Sequence, residues 1–187
     1  MKLKLDLHTH CFEALRIPTP NLITPPAVGQ IIASVRAKGL DGIAITEHCN
    51  RTFGIEVQKI TSEYFGNAIM IIPGHEICRD GMHIVELFLA NNAIFRFLAH
   101  PVHIDLLEAY IDFSLIHGIE IDNYGYDQNI NKPRVKAVAE RHQLLLLSDS
   151  DAHSLDDIGR HYNEISLRDL YYQIEKKPQG KQFFCLE

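Results

Sequence analysis

Residues 3–10, LKLDLHTH, decide how this chain is read: a strand-like alternation over residues 3–7 runs straight into two histidines one residue apart. Side chains of an extended chain alternate faces with a period of two, so His8 and His10 point the same way and can chelate one ion. Working outward, the same arrangement recurs. Leu40–Thr46 is followed by Glu47 and His48, strand 69–73 by Gly74, His75 and Glu76, Phe95–Ala99 by His100 and Pro101, and Leu144–Leu147 by Asp151, Ala152 and His153, while His83 opens the strand before Phe95. Imidazoles and carboxylates at the ends of successive strands are a candidate coordination shell for a borderline cation such as Zn, Mn or Fe.

Helical patterns separate these strands. Thr24 with Pro25 and Pro26 starts one, and Val28, Ile31, Ile32 and Val35 give it an apolar face up to Gly39. Weaker periodicity covers residues 55–66. Asp105 to His117 carries apolar residues at helical spacing, Asn131 and Pro133 open a helix to His142, and 167–176 closes the pattern after an eighth strand candidate at 162–166. Strand and helix in alternation predict a largely parallel sheet, an α/β barrel-like fold whose active edge lies at the strand ends.

The 187 residues, 46% hydrophobic and 22% charged, suit one globular domain, expected to span 1–187 without linker or repeat. A net charge of −6 without a cluster of Lys or Arg gives no footprint for tracking along nucleic acid, so an anionic substrate needs metals or a few arginines. The N-terminal residues lack the layout of an export signal, and no run reaches the roughly 18 to 20 apolar residues of a membrane span. A cytoplasmic protein without a membrane partner is expected. Four widely spaced cysteines, Cys11, Cys49, Cys78 and Cys185, form no C-x-x-C pair and are expected to be reduced.

The order DLHTH at 6–10, ITEH at 45–48, G-H-E at 74–76, a strand-borne His83, AHP at 99–101 and SDAH at 150–153 resembles the PHP (polymerase and histidinol phosphatase) superfamily. The resemblance runs from Leu3 to about Gly159 and implies a distorted barrel of about seven strands, a (β/α)7 arrangement, holding two or three divalent ions that hydrolyse phosphoesters. Position by position, it implies that His8, His10, Glu76 and Asp151 hold one ion and that Glu76 bridges to a second held by His83 and His100. His48 and His153 would hold a third. The family usually completes that third site with an Asp or His shortly after the H-x-H pair, where this chain has Leu15 and Arg16; Glu13 is the nearest substitute.

Two such ions about 3.5 to 4 Å apart would share a hydroxide that attacks phosphorus, with Asp151 or His153 as the catalytic group protonating the leaving alkoxide. Arg16 and Arg51 are the preferred substrate-binding pair, ahead of Arg79 and Arg160. Asp149 is a candidate to orient a ligand imidazole, and Asn123 and Tyr124 to line the pocket. His75, His103, His117, His142 and His161 are read as structural, with His103 placed to face substrate and His117 and His142 at helix C-termini. The substrate expected is a small phosphorylated metabolite or nucleotide, with oligonucleotide ends as the extreme of nucleic-acid binding. Two alternatives stand beside this reading. One is an amidohydrolase-like metal hydrolase, whose bridging carbamylated Lys would here be replaced by Glu76; the other is a non-catalytic metal-binding or interaction module.

Overall fold

A computed structural model describes residues 1–79 and 81–177. The chain runs β1 (Leu3–Asp6), α1 (Cys11–Ala14), α2 (Pro25–Ala37), β2 (Gly42–Ile45), α3 (Thr52–Phe65), β3 (Met70–Arg79), β4 (Met82–Phe88), β5 (Ile94–Ala99), α4 (Ile104–Leu107), β6 (Gly118–Asn123), α5 (Lys132–His142), β7 (Leu145–Asp149), β8 (Asn163–Ile165) and α6 (Leu167–Glu175). The strands form one sheet in the order β7-β6-β5-β4-β3-β2-β1-β8. It curls into a nearly closed, distorted barrel. Asn163 seals the seam between β7 and β8: Ser148 N donates to its Oδ1 at 2.9 Å, and its Nδ2 donates to Ser148 O at 3.0 Å and to Asp149 Oδ1 at 2.8 Å.

Local chemistry explains the elements. Thr24 Oγ1 accepts from Ala27 N to start α2, Asn131 Oδ1 accepts from Arg134 N to start α5, and Ser166 with Asp169 forms a reciprocal capping box on α6. Strand parity divides the core. Ala44 faces the barrel interior with Leu5, Leu7, Ile72, Val85 and Phe97, and Leu170 and Ile174 of α6 plug its far end. Ile43 and Ile45, on the opposite face of β2, pack outward against Val28, Ile31 and Val57 of α2 and α3. On the other flank Leu98 and Ile119 pack against Val135 and Val138 of α5. Each fully buried aliphatic side chain contributes roughly 1.5 to 3 kcal/mol, so the walls holding the site are rigid.

The topology departs from a largely parallel sheet. Pairs β1/β2, β2/β3, β5/β6 and β6/β7 are parallel, while β3/β4, β4/β5 and β1/β8 are antiparallel. Connections after β3 and β4 are too short for a crossover helix; the second turns through Asn91 and Asn92, both at positive φ. β3 also runs past the expected end at Pro73. Its first half pairs with β2 up to Ile45↔Pro73 and its second with β4 from Gly74↔Leu87, so Pro73-Gly74 marks a change of partner rather than a stop. Glu76 therefore sits inside a strand, not after one.

The helix expected over 105–117 is broken into α4 and short turns at Glu108–Tyr110 and Phe113–Leu115. Asp112 Oδ1 accepts from both Ser114 N and Ser114 Oγ, a local side-chain bond that competes with helix continuation. His117 consequently ends no helix: it is fully buried, and its Nδ1 accepts from Arg96 N. Cys11 and Cys78 are free, and Cys185 lies outside the described residues. No helix among the described residues is long and apolar enough to cross a membrane.

Candidate metal centre

Strand β1 delivers His8 and His10 to the barrel mouth, both fully buried, with their Nε2 atoms 3.1 Å apart. Backbone bonds fix the segment: His10 N donates to Ala152 O, and Thr9 Oγ1 donates to Ala44 O at 2.6 Å. Opposite them stands Glu76, whose side chain is 1% exposed. Its Oε1 lies 2.8 Å from His83 Nδ1 and 3.1 Å from His100 Nε2. Its Oε2 lies 3.0 Å from His48 Nδ1, 3.4 Å from His10 Nε2 and 3.6 Å from His8 Nε2. One carboxylate thus faces two groups of imidazoles, one with each oxygen.

Asp151 completes the inner wall, with Oδ1 3.2 Å from His10 Nε2 and 3.5 Å from His8 Nε2. It sits at φ +51° and His100 at φ +27°, left-handed backbone that non-glycine residues adopt at a cost of about 1 to 3 kcal/mol each and that concentrates at functional sites. Ligand-type atoms gather, within 4.8 Å of one another, into three groups: His8, His10 and Glu76; Glu76, His83 and His100; and His10, Glu13, His48 and His153. The first is buried. The third opens to solvent, with side chains of Glu13, His48 and His153 at 46%, 46% and 50% exposure.

Electrostatics agree with a site built around positive charge. Burial alone would raise the carboxyl of Glu76, but the charge on His8 and bonds from His10, His100 and His48 hold it far below the usual carboxylate range. Asp151 is held low in the same way, against its burial, by His8 and His10. Burial would lower His10, yet the carboxylates of Asp151 and Glu76 close beside it push it up to about 9. Asp151 Oδ1 and His10 Nδ1 are moreover buried without a hydrogen-bond partner. An anionic oxygen so placed, among imidazole nitrogens and carboxylates, fits a divalent cation of the Zn, Mn or Fe class.

Two clefts flank this centre. One, of about 220 Å³, is lined by His83, His100, His103, Tyr126 and the apolar side chains of Leu98, Ile104 and Ile111. Tyr126 stacks on His100 with ring centroids 4.3 Å apart. The other is open and joins Glu13 and His48 to Arg16, Phe12 and Phe53. Arg16 thus lines the open cleft and His103 the other. Arg51 lies over the ring of Phe88, 5.4 Å from the centroid, and lines neither cleft. Arg160 pairs with Asp157 and covers Tyr124.

Asp149 does not orient an imidazole; it accepts from Leu7 N and Asn163 Nδ2, holding strands together. That role falls to Glu120, which sequence reading passed over, with Oε1 2.9 Å from His8 Nδ1. As one of two acids in the strand GIEIDN, it gives no local sign of that role. Glu47 accepts from Phe12 N at 2.8 Å and so anchors α1, while Cys11 is a buried filler whose thiol burial pushes well up.

Comparison with known proteins was made against this geometry. A family model described as PHP-associated matches residues 129–175. No curated protein sequence matches the chain. Among solved structures, a protein from Bifidobacterium adolescentis described as a metal-dependent phosphoesterase matches with TM-score 0.64 and 13% identity, covering 90% of this chain and 96% of its own. A Chromobacterium violaceum protein described as an amidohydrolase with bound sulfate matches with TM-score 0.62 and 14% identity over 90% and 96%. PsfC from Pseudomonas syringae matches with TM-score 0.61 and 13% identity over 90% and 87%. At such identities the likeness is one of fold.

Proposed function

We propose that this chain is a metal-dependent phosphoesterase of the PHP superfamily acting on a small phosphorylated metabolite or nucleotide; the motif order, the PHP-associated match over residues 129–175 and the shared barrel support that reading. The observation that carries the reading is Glu76: each of its oxygens addresses a different set of imidazoles, as a carboxylate must if it is to bridge two cations. In this reading His8, His10, Glu76 and Asp151 hold the deep ion, Glu76, His83 and His100 the second, and Glu13, His48 and His153 a third. Divalent ions held there supply Lewis-acid activation of water and neutralise charge on the phosphoryl oxygens.

The side chains do the rest. His153, half exposed at the rim, carries the proton passed to the leaving alkoxide, because Asp151 is held ionised by His8 and His10; Arg16, beside Glu13 and His48, binds a phosphoryl oxygen from the open cleft. The test is hydrolysis of a phosphomonoester panel by the purified protein with Mn or Zn. Turnover that chelation abolishes and metal restores is expected; inertness toward every ester with both metals would overturn the reading.

A further inference from the structure

The β-bulge in β6 has a chemical use. Pairing with β7 slips between Glu120↔Leu147 and Asp122↔Ser148, so two residues of β6 oppose one of β7 and the alternation of faces shifts by one. Glu120 and Asn123, three apart, then both turn inward beneath the metal centre, and both are completely buried. Glu120 Oε1 lies 2.9 Å from His8 Nδ1; Oε2 accepts from His100 N at 2.6 Å and from Asn123 Nδ2 at 2.8 Å. The same Asn123 amide reaches Asp151 Oδ2 at 3.3 Å.

The geometry points to Glu120, with Asn123, as the positioning residue of the metal centre: it keeps the proton of His8 on Nδ1 so that the Nε2 lone pair faces the ion, and pins the backbone of His100. The inference rests on the reading of these histidines as ligands. Two ligand positions in left-handed backbone need an external anchor, and Glu120 supplies it to His100 directly and to Asp151 through Asn123. An acceptor-only carboxylate suits three N–H donors. Glutamine does not. If its amide oxygen keeps His100 N and Asn123, its NH₂ meets His8 Nδ1, which must then accept, and the ring proton moves to Nε2.

The test is Glu120→Gln in the full chain, read without reference to turnover. Zn and Mn titrations by calorimetry should show the tightest site weakened about 10- to 100-fold, with a melting profile that stays cooperative. Nitrogen-15 spectra of the imidazoles in zinc-loaded wild-type protein should show His8 protonated at Nδ1 alone, a measurement that stands even if the variant fails to fold. Unchanged affinity in a folded Glu120→Gln protein, or wild-type His8 protonated only at Nε2, overturns the inference. Loss of metal affinity in a protein that hydrolyses no phosphoester would leave Glu120 in place and remove the phosphoesterase reading instead.

Discussion

His8 and His10 face each other Nε2 to Nε2 across 3.1 Å, both sealed from solvent. Two ring nitrogens at that distance need a proton or a cation between them and the carboxylates of Glu76 and Asp151, so each imidazole should matter separately. His8→Ala should remove one equivalent of tightly bound Mn or Zn, measured by elemental analysis after dialysis. Phosphoesterase turnover should fall on the order of 100-fold or more, since even outer partners of metal ligands are worth about 10- to 100-fold. Wild-type metal content in the variant would count against the deep site.

The outer group predicts a graded result. Glu13 comes a little earlier in the chain than the third-site ligand of the PHP pattern that the sequence resembles, and its side chain is half exposed beside His48 and His153. Solvent competes for such ligands, so the last ion should bind weakest. Glu13→Ala should weaken only that final step in a metal titration by about tenfold, leaving the two tighter steps unchanged. A loss of the tight steps instead would mean that Glu13 holds the deep cluster together.

How far the sequence foretold this site depended on where each residue sits relative to a strand end. His8, His10, His48, His100, Asp151 and His153 follow strands, and period-two or short-turn geometry places them without knowledge of the rest. Glu76 and His83 converge because β3 continues past Pro73 and pairs antiparallel with β4, a pairing no local pattern announces. Glu120 was invisible for a sharper reason: only the slip against β7 turns Asn123 to its side, and register is a property of two strands. The place of Arg51 is set the same way, since a long side chain at the head of α3 settles on whichever surface the fold offers, here Phe88. The residues 105–117 keep their apolar spacing, but Asp112 and Ser114 spend their bonds on a turn.

His117 sets an acid limit on stability. Burial, then the charges of Arg96 and Lys177, lower its imidazole from 6.5 to about 4. Between those values the unfolded chain takes up a proton that the folded chain refuses, so its contribution is fully present above pH 6.5 and is lost as pH falls toward 4. The full shift corresponds to about 3 kcal/mol. His117→Asn keeps an acceptor for Arg96 N and removes the titration. Chemical denaturation of metal-free protein at pH 7 and pH 4.5 should show a smaller loss in the variant than in the wild type; equal losses would show that His117 is not the group responsible.

Asn163 is the side chain that joins β8 to β7 at the barrel seam. Between β7 and β8 the amide of Asn163 takes the place of a peptide unit, accepting from Ser148 N and donating to Ser148 O and Asp149 Oδ1. Asn163→Leu matches the volume but leaves these buried groups unpaired, at about 1 to 3 kcal/mol for each. Its effect should reach the mouth, because Ser150 and Asp151 follow directly on β7 and Asp151 N donates to His8 O. The variant should therefore melt at lower temperature and also bind its tightest metal more weakly, whereas Asn163→Asp, which keeps the acceptor for Ser148 N but sets a second carboxylate against Asp149, should lose stability most at neutral pH and recover part of it as the medium is made acidic. Melting curves over a pH series, run beside metal titration, separate these outcomes; a wild-type melt for Asn163→Leu would show that the seam is closed by something other than this amide.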